Sequence, residues 1–342
     1  MRVVLTGSSG FLGGHAAEAF QLQGHKVIGI VRSSSSTALL SAAGTEVFAC
    51  PLEDEPRLQQ AMQHVDAVVH VAARVHTHGL WQQFVGDTVE GTRHVLQAAI
   101  AARVPRFIQI STVGVYGFPR SRNPAPFREA DGYGHIHRWN YYSRAKIEAE
   151  KIVLAAHESG RIATTILRPT WVYGPRDSTT FPRITAALKN RRLKWIGDGQ
   201  NKLSLIHVTD VARAVVLSAT SSSSAGHVYN VSADETSPTQ RDFITRICEL
   251  TDSPPPASSV PYNAAYAMAF AGECVAHLTR YRICPPLTRL TVLLLGGPRR
   301  YNSDRIRAEL AWKPTVTFDE GILQTAQWYR GLKAPLLAAS PG

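Results

Sequence analysis

The chain has 342 residues, with 37 Lys and Arg against 26 Asp and Glu, for a net charge of +11 at neutral pH. Its 44% hydrophobic and 18% charged residues suit a globular enzyme with a sizeable core and exclude a disordered or fibrous chain. The basic residues are scattered, with no run longer than the arginine pairs at 191–192 and 299–300, which argues for anionic cofactors and against a nucleic-acid partner.

Cys50, Cys248, Cys274 and Cys284 show no metal-ligand spacing, so the expectation is a reduced, cytoplasmic protein with no structural metal. His76 with His78, and His135 with His137, lack a third ligand and read as loop residues. The opening "MRVVLTGSSG" runs straight into a strand and leaves no room for a signal peptide. The most apolar stretches, 264–278 and 291–297, are too short to span a bilayer, so no integral membrane segment is expected.

In chain order, residues 2–6 read as a buried strand, followed by a glycine-rich turn and a helix to about Gln23. Further short apolar strands fall at 26–32, 45–50, 65–73, 106–112 and 163–174. Helices at 86–102 and from "NYYSRAK" to about 159 separate the last three. This alternation predicts an α/β fold, a doubly wound parallel Rossmann sheet. Strands at 203–208 and 227–232 around a helix near 209–220 are expected to return to that dinucleotide-binding domain, residues 1–174. A smaller substrate-binding domain is expected from 175–202 and 233–333, with 334–342 as a frayed tail.

Gly7, Gly10 and Gly13 in "TGSSGFLGG" sit where the first strand meets the first helix. Glycine there lets the backbone approach a pyrophosphate that rests on the positive end of the helix. Further along, Tyr142 and Lys146 are four residues apart, so a phenol and an ammonium share one helix face; Tyr141 is off that register. On spacing alone the pair is more often an ordinary amphipathic face.

Seven motifs occur in a fixed order: "TGSSGFLG", "HVAA" (70–73), "STVGVYG" (111–117), Tyr142-x-x-x-Lys146, "LRPTWVYGP" (167–175), "GDGQNKLSLIHVTDVARA" (197–214) and "YNVS" (229–232). The series resembles the extended, epimerase-like branch of the short-chain dehydrogenase/reductase superfamily. Residues 285–314 are similar to its 3β-hydroxysteroid dehydrogenase-like subfamily. The resemblance implies a catalytic set of Thr112, Tyr142 and Lys146. Tyr142 exchanges a proton, Thr112 polarises the reacting oxygen, and Lys146 lowers the phenol pKa and binds the nicotinamide ribose. It implies cofactor contacts at Gly7, Ser9, Gly10, Phe11, Leu12, Gly13, Arg32, Leu52, Val71, Ala72, Ala73, Ile110, Pro169 and Val172, besides Tyr142 and Lys146.

The second strand ends at Val31 and Arg32 without the acidic residue that holds an NAD ribose, so NADP(H) is favoured over NAD(H), with Arg32 and Ser33 facing the 2′-phosphate. Thr88 stands where many relatives carry an asparagine. Leu203 replaces the arginine that grips the diphosphate in nucleotide-sugar members, and Val113 and Gly114 replace the dehydratase Asp-Glu pair. Arg168 fits a structural salt bridge or a substrate contact equally. Trp81, Phe84, Trp139, Trp171, Tyr266 and Phe270 are candidates to line an apolar pocket, and Val113, Trp81 and Trp171 are the expected substrate contacts. The expected activity is NADP(H)-dependent interconversion of a hydroxyl and a keto group on a hydrophobic small molecule. The alternatives are a nucleotide-sugar epimerase that recycles its cofactor or a non-catalytic dinucleotide sensor. The family also leads to an expected homodimer, through helices near 86–102 and 141–159.

Overall fold

The computed structural model describes residues 1–75, 78–119 and 124–333; the expected tail at 334–342 and His76 lie outside them. Eleven strands are present among the described residues: β1 (Arg2–Thr6), β2 (Lys26–Val31), β3 (Glu46–Ala49), β4 (Ala67–His70), β5 (Arg106–Ile110), β6 (Ala163–Pro169), β7 (Trp171–Tyr173), β8 (Trp195–Ile196), β9 (Leu205–His207), β10 (Val228–Val231) and β11 (Ser259–Val260). Seven of them form one parallel sheet in the order β10-β6-β5-β4-β1-β2-β3. The order reverses between β1 and β4, and a doubly wound sheet opens a crevice for ligands at that point.

Side-chain alternation along the strands divides the core into two layers. Val3 and Leu5 of β1 face Phe20 and Val211 on the helices Phe11–Leu22 and Val208–Thr220. Val4 faces Leu58, Leu96 and Val153 on the helices Glu55–Ala61, Gly91–Ala101 and Tyr141–Glu158. A third cluster, around Phe181, Leu203, Phe243 and Tyr329, holds the later helices Thr180–Lys189, Gln240–Thr251 and Phe318–Lys333 together.

Two expected elements take a different form. The strand read over 163–174 breaks after Pro169. The Thr170 amide still bonds to Val231 of β10, whereas the Trp171 amide turns to Ser204, so β7 leaves the main sheet and pairs with β9. The helix read from 86 opens as a π-helical stretch, Val85–Glu90, and becomes α-helical only from Gly91. A wide turn of this kind changes where side chains point and is frequent at functional sites.

Arg168 of β6 makes a structural ion pair. Its Nε and Nη2 donate to Glu150 Oε1 and Oε2 at 3.0 and 2.6 Å, with side chains 4% and 0% exposed. Its Nη1 donates to the Tyr116 hydroxyl at 2.8 Å, which donates on to Asn230 Oδ1 at 2.8 Å. Removing one member of such a pair strands a buried charge. We expect Glu150→Ala to cost about 3–5 kcal/mol in urea denaturation, with much of it recovered in Glu150→Met/Arg168→Met. A loss below about 1 kcal/mol in the single variant would show that the pair is not what closes this region.

Candidate active site

The glycine loop is built for close approach. Gly7 has φ +70°, and a Cβ there would lie 2.8 Å from the Ala72 amide nitrogen on β4's continuation. A side chain at Gly13 would drive into the Gly7 carbonyl. Gly10 is the N-cap of the 12-residue helix Phe11–Leu22 and supplies no side-chain cap, so the first amides of that helix face the crevice without one. Backbone donors, the helix dipole and a cradle that any side chain would fill together suit a pyrophosphate.

The other expected cofactor contacts lie along the same carboxyl edge. Ser9, Phe11 and Leu12 surround the loop, Val71, Ala72 and Ala73 follow β4, Ile110 ends β5 and Pro169 ends β6. Arg32 is exposed just after β2, on a turn in which the Ser35 amide bonds to the Arg32 carbonyl at 2.9 Å. Leu52 follows β3 and packs partly into the core, and Val172 sits on β7.

Thr112 caps the 3-10 turn Val113–Tyr116, accepting from the Gly114 amide at 3.1 Å. Asn140 caps the helix Tyr141–Glu158, its side chain accepting from the Ser143 amide at 3.2 Å. These two caps bring the Thr112 and Tyr142 side chains near one another. One turn on, Lys146 is buried and its Nζ donates to the Ile110 carbonyl at 2.7 Å.

The electrostatics depart from the simple expectation for a tyrosine beside an ammonium. Burial holds the Tyr142 phenol above its ordinary value, and the group that draws it back is the Thr112 hydroxyl. Burial also pushes the Lys146 ammonium down to about 8, against the pull of Glu150 one turn further on. Desolvation therefore favours the neutral form of both members of the pair.

Behind Lys146 runs a buried column that the sequence reading did not single out. His70 Nδ1 lies 2.7 Å from Thr6 Oγ1, and its Nε2 lies 3.1 Å from Thr92 Oγ1. Thr92 donates to the Thr88 carbonyl at 2.6 Å, so it must accept from His70 Nε2–H, and Nδ1 then accepts from Thr6. Thr6 in turn accepts from the Ala72 amide at 3.4 Å. The chain of donors fixes one tautomer and ties the glycine loop to the π-helical stretch. Its sequence signal was the histidine that opens "HVAA", the first residue of the motif and the last of β4.

A cavity of about 380 Å³ opens beside Tyr142. Phe84, Trp139 and Leu290 form apolar walls, and Glu273, His277 and Arg289 bring polar groups from the C-terminal helices. Arg289 Nε donates to Glu273 at 2.6 Å, and its guanidinium lies 4.2 Å from the Trp139 ring centre and 4.8 Å from that of Phe270. Among the expected substrate contacts, Trp81 lines an adjoining shallow cleft, where Arg144 sits 4.4 Å over its ring. Val113 packs with Val115 and Tyr116, and Trp171 packs against Phe243. Tyr266 packs in a small cluster with Ala265 and Val292. Arg289 and Glu273, missed in the sequence, carry no motif and meet only through the fold. Among the described residues, no group of three or more His, Cys, Asp or Glu is placed to hold a metal ion.

Residues 3–232 match the NAD dependent epimerase/dehydratase family. The chain belongs to that family. As a family member it is an NAD(P)-dependent enzyme of the extended short-chain dehydrogenase/reductase type, as the motif series implies. Over 328 residues it is 30% identical to a 4-hydroxy-2-methyl-3-oxo-4-farnesyl-3,4-dihydroquinoline-1-oxide ketoreductase of Stigmatella aurantiaca, covering 94% of this chain and 95% of the relative. A 2-alkyl-3-oxoalkanoate reductase of Stenotrophomonas maltophilia is 29% identical, with 94% and 97% covered. A UDP-glucuronic acid 4-epimerase from Bacillus cereus, solved with UDP-glucuronic acid and NAD, shares the fold at TM-score 0.75 and 20% identity, covering 97% of this chain and 100% of that one.

Within this family site, His70 gives a pH-dependent stability with a definite sign. Burial, with Lys146 nearby, lowers its pKa from 6.5 to about 3. The unfolded chain therefore takes up the proton first as pH falls, so the contribution is whole above 6.5 and is lost progressively towards about 3. Urea midpoints at about pH 7 and about pH 5 should differ less for His70→Asn than for the native chain. An unchanged difference would assign the acid sensitivity elsewhere.

Proposed function

We propose that the protein is an NADP(H)-dependent reductase or dehydrogenase that interconverts a keto and a hydroxyl group on a hydrophobic small molecule. The observation that carries this reading is the position of Tyr142, near Thr112 and on the wall of a cavity built largely from aromatic and aliphatic side chains. The named relatives that reduce farnesylated or alkyl-chain keto compounds support the same substrate class.

The bound nicotinamide dinucleotide supplies or accepts the hydride. Thr112 holds the substrate oxygen by a hydrogen bond, and Tyr142 gives it a proton as the alcohol forms. A phenol kept above its ordinary pKa remains protonated at neutral pH, which suits the acid role in the reducing direction. Lys146, kept near the crevice by the Ile110 carbonyl, is placed to hold the ribose hydroxyls. The glycine loop holds the pyrophosphate, and Arg32 pairs with the 2′-phosphate, since Val31 ends β2 with no carboxylate to repel it.

The nucleotide-sugar alternative has less support. Leu203, at the position of the diphosphate-gripping arginine, is wholly buried in the cluster around Phe243. Val113 and Gly114 offer no carboxylate for dehydration. A screen of apolar ketones and alcohols against nucleotide sugars, read by nicotinamide absorbance, tests the choice. Turnover of a nucleotide sugar without net cofactor consumption would overturn our reading.

Tyr142→Phe should lower kcat by about two orders of magnitude or more. Tyr141→Phe should cost far less, because that ring packs against Trp81 and Phe84 at 5.7 and 6.1 Å between centres. Equal losses in two folded variants would remove Tyr142 from the chemistry. Arg32→Ala should weaken NADPH binding at least tenfold, the loss of one charge-assisted phosphate contact, and leave NADH binding nearly unchanged. Titrations giving the same change for both would show that Arg32 does not read the phosphate.

A further inference from the structure

The helix Tyr262–Leu278 has two unlike faces. Ala265, Ala269 and Ala276 pack inward, and Glu273, Cys274, His277 and Leu278 close the cavity. The outer face is apolar: Met268 is 63% exposed, Val275 48% and Leu278 84%, spaced by seven and three residues along one stripe with exposed Ala264 and Ala271 between and before them. Ile283, just past the helix, is 58% exposed. The helix carries one charged side chain, Glu273, and that carboxylate is spent on the backbone amide and guanidinium of Arg289. A surface helix ordinarily turns its polar face to water; this one turns an apolar stripe outward.

The end of the stripe is basic. Arg280 and Arg282 are exposed, and neither pairs with a carboxylate among the described residues. Residues 253–303 contain five arginines and a single carboxylate, the occupied Glu273. Leu278 belongs both to the cavity lining and to the exposed stripe, so the mouth of the cavity and the apolar face are continuous.

We propose that this face seats the protein on an anionic lipid surface, with the helix lying in the interfacial plane and Arg280 and Arg282 among the headgroups. An apolar stripe buried at the acyl boundary with arginines at its margin is the pattern that binds membranes peripherally. No helix among the described residues is long and apolar enough to cross a bilayer, which leaves an in-plane arrangement. A second copy of the chain is the competing occupant. A two-fold interface would bring this arginine-rich margin against itself with no free carboxylate in the segment to answer it. The lipid fits the charge; the copy does not.

The test is flotation of the full-length protein with vesicles of phosphatidylcholine alone or mixed with phosphatidylglycerol. Partition should be at least tenfold stronger on the phosphatidylglycerol vesicles and should fall as salt is raised. Met268→Glu/Val275→Glu should lower it at least tenfold, and Arg280→Gln and Arg282→Gln about fivefold each. Native mass, circular dichroism and NADPH affinity should stay unchanged in all these variants. Absence of partition onto phosphatidylglycerol vesicles overturns the proposal, as does partition indifferent to Met268→Glu/Val275→Glu. A native dimer that this double variant converts to monomer assigns the face to a second copy and overturns it too. None of these readouts uses turnover, so failure here leaves the reductase reading untouched, and failure of that reading leaves this one standing.

Discussion

The buried pair between Arg168 and Glu150 is the contact that ties together the elements around the candidate site. It joins the end of β6 to the helix Tyr141–Glu158 and, through the Tyr116 hydroxyl and Asn230, to the V-Y-G turn and β10. Asn230 continues the path, donating from its side chain to the carbonyls of Phe127 and Asn302 at 3.3 and 3.1 Å. Two charges taken out of water are costly, and the bidentate geometry with a third hydrogen bond on Nη1 is what makes the arrangement tenable. Tyr142, Lys146 and Glu150 are spaced by four along one helix face, so anchoring Glu150 also sets the rotation that presents Tyr142 to Thr112 and Lys146 to Ile110.

That anchoring takes place in a dry environment, and dryness decides the protonation of the site. The same burial raises a phenol and lowers an ammonium, so Tyr142 and Lys146 are both displaced towards neutrality. Spacing arguments count the distance from tyrosine to lysine but not the water each has lost, and they miss that Lys146 spends its Nζ on the Ile110 carbonyl. His70 completes the pattern: a donor chain from Ala72 to the Thr88 carbonyl keeps it neutral, so a second cation does not compete with Lys146.

Local signals made much of this legible. Apolar runs between glycine-rich turns placed six parallel strands and their order of occurrence, because a strand buried on both faces must be apolar throughout. Gly7, Gly10 and Gly13 follow from backbone approach and the Tyr142–Lys146 pairing from helical register, both set by near neighbours, whereas Thr112 and the catalytic roles of the pair come from the family resemblance of the ordered motifs. Contacts between distant segments could not be read. Arg168 left two readings open until Glu150 was seen beneath it, and Arg289 with Glu273 has no spacing rule to betray it. The break after Pro169 was hidden for the same kind of reason, since only the positions of β9 and β10 reveal that the Trp171 amide changes partner.

The C-terminal helices show a different limit of sequence reading. An apolar stretch such as 264–278 signals removal from water but not what removes it. Half of that demand is met inside the protein, where Ala265, Ala269 and Ala276 pack and Glu273 fixes Arg289 between Trp139 and Phe270. The outward half, Met268, Val275 and Leu278, is covered by nothing among the described residues. A helix used only as a cavity wall has no need of that outer stripe, since a polar face would serve solubility better. The helix thus gives the cavity Glu273 and His277 on one side and turns an apolar stripe outward on the other, and Leu278 links the two at the cavity mouth. One helix thereby supplies both part of the cavity wall and the apolar surface beside its mouth.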